Sequence, residues 1–252
     1  MNKVSIITVC FNSAATIRDT IESVLTQDCP NIEYIMVDGA SRDSTMEIVD
    51  EYRDRIATVI SEPDKGIYDA MNKGIEAATG DIVGFLNSDD FYADETVVRR
   101  LVEQMELAGT DTVFADVVFV DPVNTNRVVR YYDSSKFHPG RLRYGWMPAH
   151  PTLMVKRELY RKYGGYEIDY QIAADFEMIV KLLYTARATY SYLPYVAIKM
   201  RVGGISTNGL RARWTLNMEI VRACRSNGIR TNFPRVLLKV PLKLLEFVRS
   251  FE

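Results

Sequence analysis

The sequence predicts an α/β fold: a mostly parallel central sheet flanked by helices, followed by further C-terminal helices. Three observations carry this expectation. Short apolar, β-branched runs alternate four times with helical patterns within the first hundred residues. Each run ends in turn-forming residues, and the spacing between runs is short, as in units that return to a parallel neighbour. A length of 252 residues suits one large domain, or one domain with an appendage.

Residues 4–9 form the first strand pattern, ending in Cys10-Phe11-Asn12-Ser13; Asn12 or Ser13 then caps a helix whose apolar face is Ile17, Ile21, Val24 and Leu25. A second strand at 32–37 is followed by Asp38-Gly39-Ala40-Ser41 and a helix around 45–52. A third, at about 57–61, leads through Glu62-Pro63-Asp64-Lys65-Gly66 into a helix over 67–78, which Gly80 ends. The fourth lies in DIVGFLNSDDFY, where Ile82, Val83, Phe85 and Leu86 read as a buried strand and Asn87-Ser88-Asp89-Asp90 as its C-terminal turn. A helix over 95–107 and strands at 112–120 and 128–132 follow, then a long connection, 133–150, containing Tyr144 and Trp146. Beyond it lie a short segment at 153–155, a helix ending at Gly164-Gly165, and a helical apolar face made by Phe176, Ile179, Val180 and Leu183.

Composition narrows the function classes. A net charge of −2 gives no global nucleic-acid signal. Three cysteines, odd in number and without metal-ligand spacing, suggest reduced thiols in a cytosolic compartment. The N-terminus runs straight into a β-rich segment with no signal-peptide pattern, and no apolar run approaches bilayer length, so neither secretion nor a transmembrane anchor is expected. The first turn lacks the glycine fingerprint of dinucleotide folds, and there is no phosphate-binding lysine loop; NAD binding and ATP hydrolysis both lose ground.

The acids at strand ends carry the chemistry. Adjacent carboxylates at Asp89 and Asp90 repel by about 4 kcal/mol at a 4 Å separation and an effective dielectric near 20. Turn and helix-cap donors would offset that repulsion; so would Mg²⁺ or Mn²⁺, which accepts one or two carboxylates and completes its shell with diphosphate and water. Asp38, Asp89 and Asp90 each follow an apolar strand, so in a parallel sheet they lie along one rim, where α/β sheets bind ligands. Taken alone, Asp38 also reads as a plain Asp-Gly turn.

Three stretches, VSIITVCFNSAATIRDTIESVLTQ, IEYIMVDGASRDST and DKGIYDAMNKGIEAATGDIVGFLNSDD, together resemble the nucleotide-binding half of family 2 glycosyltransferases with the GT-A fold. The likeness covers the first hundred residues in register and continues more weakly to about Gly204. It implies that Thr8, Val9 and Phe11 line the pocket for the donor's base, that Asp38 accepts hydrogen bonds from base or ribose, and that Lys65, before a helix N-terminus, meets the diphosphate. Asn87-Ser88-Asp89-Asp90 occupies the Asp-x-Asp position with Asn87 in place of the first acid. Alternation along an extended segment then gives Asp89 to the ribose and Asp90 to the metal. Asp175 falls at the position of the catalytic base, with Ala174 replacing the usual Glu. Trp146 and His150 fall on the acceptor side, and Arg201, opening the loop RVGGISTN, would pair with the leaving diphosphate. Without the resemblance, Phe11 reads equally as a core aromatic, Lys65 as a loop lysine, His150 as a structural histidine and Asp175 as a first-turn acid.

The expected organisation is a GT-A domain over 1–209, with a nucleotide-sugar half at 1–110 and an acceptor and catalytic half at 111–209, then basic amphipathic helices at 210–252. There Arg235, Lys239, Lys243 and Arg249 accompany Val236, Leu237, Val240, Leu244, Leu245 and Val248. That tail either lies in an anionic membrane interface or covers the sheet. The resemblance implies a cytoplasmic, metal-dependent, inverting transferase, peripheral on the inner membrane face. It would move a hexose-type sugar from a nucleoside diphosphate to a glycan or polyprenyl-linked acceptor in surface polysaccharide biosynthesis. Two other readings stand beside it: a non-catalytic nucleotide-sugar or glycan-binding module, and a sugar-phosphate nucleotidyltransferase, which would need a glycine- and arginine-rich loop that is missing after Val9.

Overall fold

In a computed structural model that describes residues 2–203 and 209–238, the four apolar runs of the first half are strands: β1 (Val4–Cys10), β2 (Ile32–Asp38), β3 (Thr58–Ser61) and β4 (Ile82–Phe85). They pair in parallel in the order β3-β2-β1-β4, with Cys10 opposite Asp38, Asp38 opposite Ser61 and Ile7 opposite Phe85. All four therefore end on one edge. Side chains alternate across a strand, and β1 and β2 divide accordingly. Ile7, Val9, Ile35 and Val37 enter one hydrophobic cluster; Ile6, Cys10, Tyr34 and Met36 enter the other.

The helices between the strands close both clusters. Helices α1 (Ile17–Leu25) and α2 (Thr45–Asp50) cover the second, burying Ile17, Ile21, Val24 and Val49. Each such side chain contributes about 1.5–3 kcal/mol. Helix α3 (Ile67–Ala77) covers the first through Tyr68, Ala70 and Met71. It lies so close to β1 that a Cβ on Gly74 would sit 2.4 Å from Ile7 Cγ2. At the opposite end of the sheet, Glu33 accepts bonds from Lys3 Nζ (2.6 Å), Ser5 Oγ (2.6 Å) and the Thr79 amide (2.7 Å). Burial alone would raise its pKa, but these donors hold the carboxyl down at about 2.

The second half continues the same sheet. It comprises β5 (Phe91–Tyr92), α4 (Val97–Ala108), β6 (Thr112–Val120), β7 (Val128–Tyr132), β8 (Met154–Lys156), α5 (Arg157–Tyr163), α6 (Ala174–Val180) and β9 (Tyr190–Arg201). Short 3₁₀ turns span Pro139–Tyr144 and His150–Thr152. The full order is β3-β2-β1-β4-β8-β6-β9-β5, with β7 on β6. Short β8 runs antiparallel to both β4 and β6, which restores β6 and its parallel partner β9 to the direction of β1. The halves thus share one continuous sheet.

The sequence shows β9 poorly, because its burial does not alternate cleanly and it contains Pro194. That proline falls where the β6–β9 register shifts, a position that spares the missing N–H. Helix α7 (Leu210–Ser226) packs on α6 and on α8 (Phe233–Leu237), so residues 210–238 are joined to the second half by a packed interface. Gly204–Asn208 of the expected loop, and the tail from Lys239 with Lys243 and Arg249, lie outside the described residues. Cys10, Cys29 and Cys224 are each buried and none forms a disulfide. Among the described residues no helix is long and apolar enough to cross a membrane.

Candidate active site

The rim formed by the ends of β1 to β4 places several of the expected residues together and removes others. Phe11, just past β1, is 59% exposed. Thr8 and Val9 are buried: Thr8 accepts a bond from Tyr34 Oη (3.1 Å), and Val9 belongs to the core, so neither lines a pocket as expected. Asp38 is 0% exposed. It accepts bonds from the Ser41 amide (3.1 Å), Ser41 Oγ (2.5 Å) and Ser61 Oγ (2.7 Å), and so ties the loop after β2 to the end of β3. The expectation that Asp38 meets base or ribose is corrected: hydroxyls from the loop after β2 and from the end of β3 occupy its oxygens, a convergence invisible along the chain.

A different acid reaches the surface beside Phe11. A Cβ at Gly39 would lie 2.4 Å from Asp64 Oδ2 and 3.4 Å from Phe11 Cδ2. The half-buried Asp64 leans across the end of β2 into the space that glycine leaves, with its Oδ1 accepting from the Gly66 amide at 2.8 Å. Its position in Glu62-Pro63-Asp64-Lys65-Gly66, after β3, was the available signal. Lys65 is exposed just before the eleven-residue α3.

At the end of β4, the Asp90 amide donates to the Asn87 carbonyl (3.1 Å), closing a turn. The segment is not extended, so the alternation used to divide the two acids does not apply. Asp90 is 1% exposed; its carboxylate accepts from Asn87 Nδ2 (3.2 Å) and from the Arg201 amide. Asp89 is half-buried, and no other residue among those described donates a side-chain bond to it. Burial raises the pKa of both, and for Asp90 the Asp89 charge adds to it. Arg201 is not a free diphosphate partner. Its guanidinium donates to the Asp89 carbonyl (2.7 Å), pairs with Asp19 and lies 4.9 Å from the Phe91 ring centre, bracing the turn from β9.

Asp175 enters from the other half, in the first turn of α6. Phe85, two residues before Asn87, stacks with His150 (6.4 Å) and meets Tyr166 edge-on (5.5 Å). His150 Nε2 and Tyr166 Oη are 2.9 Å apart, and Tyr68 stacks on Tyr166 at 6.0 Å. His150, Tyr166 and Tyr68 each interact electrostatically with Asp175, and Tyr68 Oη reaches the Ile172 carbonyl just before α6, so Asp175 lies beside this aromatic wall at the end of β4. Burial raises the Asp175 pKa, and the His150 ring and neighbouring amides only partly oppose it. Burial also lowers the His150 pKa, which keeps the imidazole neutral near pH 7. Trp146, expected toward an acceptor, is 9% exposed and is sandwiched between Tyr132 (6.1 Å) and Phe137 (6.0 Å). Tyr132 of β7 and Phe137 and Trp146 of the long connection pack on one another, whereas Tyr144 is exposed. A cavity of about 710 Å³, lined by Thr110, Leu183, Arg187 and Tyr190, opens near the starts of β6 and β9, at the edge away from these acids.

A continuous α/β sheet with acids at the strand ends of its parallel half, and a further carboxylate on α6 of the second half, is the architecture of GT-A glycosyltransferases. Residues 5–164 match the family model described as Glycosyl transferase family 2, and the chain belongs to that family. It is 34% identical over 181 residues to an uncharacterized glycosyltransferase of Mycobacterium tuberculosis, covering 71% of this chain and 68% of that one. It is 28% identical over 207 residues to a PGL/p-HBAD biosynthesis glycosyltransferase of the same species, covering 80% and 78%. Among solved structures, Staphylococcus aureus TarS 1-349 in complex with UDP-GlcNAc superposes with a TM-score of 0.72 at 19% identity, over 99% of this chain and 73% of that one. That last likeness is one of fold.

Proposed function

We propose that the chain is a metal-dependent, inverting transferase that moves a hexose-type sugar from a nucleoside diphosphate to a glycan or polyprenyl-linked acceptor in surface polysaccharide biosynthesis. The observation that carries this reading is the presence of exposed Phe11 and half-buried Asp64 and Asp89 at the strand ends, with a raised-pKa carboxylate, Asp175, whose neighbours His150 and Tyr166 pack on Phe85 of β4.

On this reading the first half, 1–110, holds the donor. The Phe11 ring offers a face to the base, and Asp64 Oδ2 accepts from an N–H on the base edge or from a ribose hydroxyl. Asp38 acts indirectly, by fixing the loop that places Gly39 and hence Asp64. Lys65 and the first-turn amides of Ile67 and Tyr68 in α3 suit the diphosphate. The second half, 111–209, supplies Asp175. An acceptor hydroxyl oxygen attacks the anomeric carbon and gives its proton to Asp175; the bond from that carbon to the phosphate oxygen breaks, and its electron pair leaves with the nucleoside diphosphate. His150, neutral and bonded to Tyr166, keeps a dry wall beside the carboxylate. Positioning of the two substrates accounts for much of the remaining acceleration.

The donor set fits a hard divalent cation. Asp89 is partly accessible, has no side-chain donor among the described residues and follows Asn87 by two positions in the same turn, which suits Mg²⁺ or Mn²⁺ whose shell is completed by phosphate and water. Asp89 and Asn87 would hold it, with buried Asp90 as a second charge behind them. When bound, such an ion neutralises charge developing on the departing diphosphate.

Residues 210–252 are proposed to attach the enzyme to an anionic membrane surface from the cytoplasmic side. Trp214, Met218, Leu237 and Leu238 are exposed close to Arg211, Arg213 and Arg235. Co-sedimentation with phosphatidylglycerol vesicles, weakened by salt and by removal of residues 239–252, is the expected result; equal pelleting with neutral vesicles would reject the attachment.

The transferase reading is tested by incubating the protein and Mn²⁺ with UDP-glucose, UDP-galactose, UDP-N-acetylglucosamine and GDP-mannose, with and without cell-envelope lipid. Release of nucleoside diphosphate from at least one donor is expected. Nucleotide binding without turnover of any of them would favour a binding module.

A further inference from the structure

Glu219 lies on α7, beyond the segment that matches the family model. Its carboxylate accepts three consecutive backbone amides, those of Gln171 (2.7 Å), Ile172 (2.9 Å) and Ala173 (2.9 Å). They are the last amides before α6, and Ala173 is its N-cap residue. On the other side of the same loop, Tyr68 Oη from α3 donates to the Ile172 carbonyl at 2.5 Å. The loop that delivers Asp175 is therefore clamped between α7, which takes its N–H groups, and α3, which takes its carbonyl.

This clamp decides what is left for Asp175. The amides at a helix start attract the nearest carboxylate, and a first-turn aspartate is the usual acceptor. Here Glu219 already satisfies the three amides leading into the helix. Asp175 is left with the Phe176 amide (2.7 Å) and its own, and among the described residues no side chain donates to it.

We propose that Glu219 is a positioning residue for Asp175: by occupying the amides of residues 171–173 it fixes the loop that delivers Asp175 and leaves that carboxylate only the Phe176 amide and its own. The inference rests on the reading of Asp175 as the base. The groups facing Asp175 are His150 and Tyr166 from the second half, Tyr68 from α3 and Glu219 from α7. Of these four, Glu219 is the one whose charge raises the Asp175 pKa.

The test uses the full chain and whichever donor of the four-member panel is cleaved fastest. Glu219→Gln and Glu219→Ala are expected to lower kcat about 10-fold or more, while donor KM and UDP affinity by calorimetry stay within about 2-fold. In Glu219→Gln the acid limb of the kcat profile moves to lower pH, because a negative neighbour of Asp175 is gone. Glu219→Asp restores part of kcat. Should the alanine variant fail to fold, the Gln and Asp variants carry the test. A merely structural role would lower Tm and leave the acid limb in place, which would overturn the proposal, as would wild-type kcat in Glu219→Gln. Full activity in Asp175→Asn would instead remove the base assignment, and a wild-type protein that cleaves none of the panel would remove the transferase reading; the proposal falls with either.

Discussion

Asp175→Asn is expected to lower kcat for sugar transfer by about 10²–10⁴-fold, the usual worth of a positioned general base. UDP affinity should hardly change, because Asp175 enters from α6, while Phe11, Asp64 and Asp89 stand past the ends of β1, β3 and β4. The amide oxygen can still accept from the Phe176 N–H, so the fold should persist. The effect on stability has a definite sign. Burial raises the folded-state pKa of this carboxyl, so its favourable contribution is fully present below the unfolded value and is lost as pH rises through the folded one. At neutral pH the ionised group is a net cost, and the Asn variant should melt at or above the wild-type Tm. An inactive variant with unchanged UDP binding and an equal or higher Tm is the expected triad of results. The wild-type acid limb should lie above the ordinary carboxylate range. Retained turnover in Asp175→Asn would end the assignment.

The second large effect separates two neighbours. Asp89→Asn should lower turnover by about 10²-fold or more, since cation-assisted charge stabilisation is worth several kcal/mol. It should also abolish the binding of Mn²⁺ measured by calorimetry in the presence of UDP. Asp90→Asn should behave differently. Its side chain is enclosed, and an amide oxygen can still accept from Asn87 and the Arg201 amide, so metal dependence should survive. The reverse pattern, with Mn²⁺ binding lost in Asp90→Asn and kept in Asp89→Asn, would restore the division suggested by strand alternation.

Particular residues show how far the sequence could be read. Strands β1 to β4 appeared within a residue or two of their observed limits, because each is a short apolar run closed by turn residues. The rim followed, because parallel strands must end on one edge, and Phe11, Lys65 and Asp89 do stand there. Asp38 shares their position along the chain but not their surroundings, since Ser41 and Ser61 saturate it. Arg201 was legible as an arginine at a strand end; its capture by Asp19, Phe91 and the Asp89 carbonyl depends on elements more than a hundred residues away in the chain. Asp64 escaped notice because its reach depends on a missing Cβ at Gly39, in another loop.

What the chain alone determined is the alternation of strand and helix, membership of a family of sugar-transferring enzymes, and the rim on which its chemistry would sit. These follow from periodicity and short motifs, which are local. Tertiary structure decided which acids face outward and which are consumed in holding loops. It also decided that a glutamate from the C-terminal helix braces the loop before Asp175. A carboxylate's availability depends on the donors packed around it, and those donors arrive from distant parts of the chain.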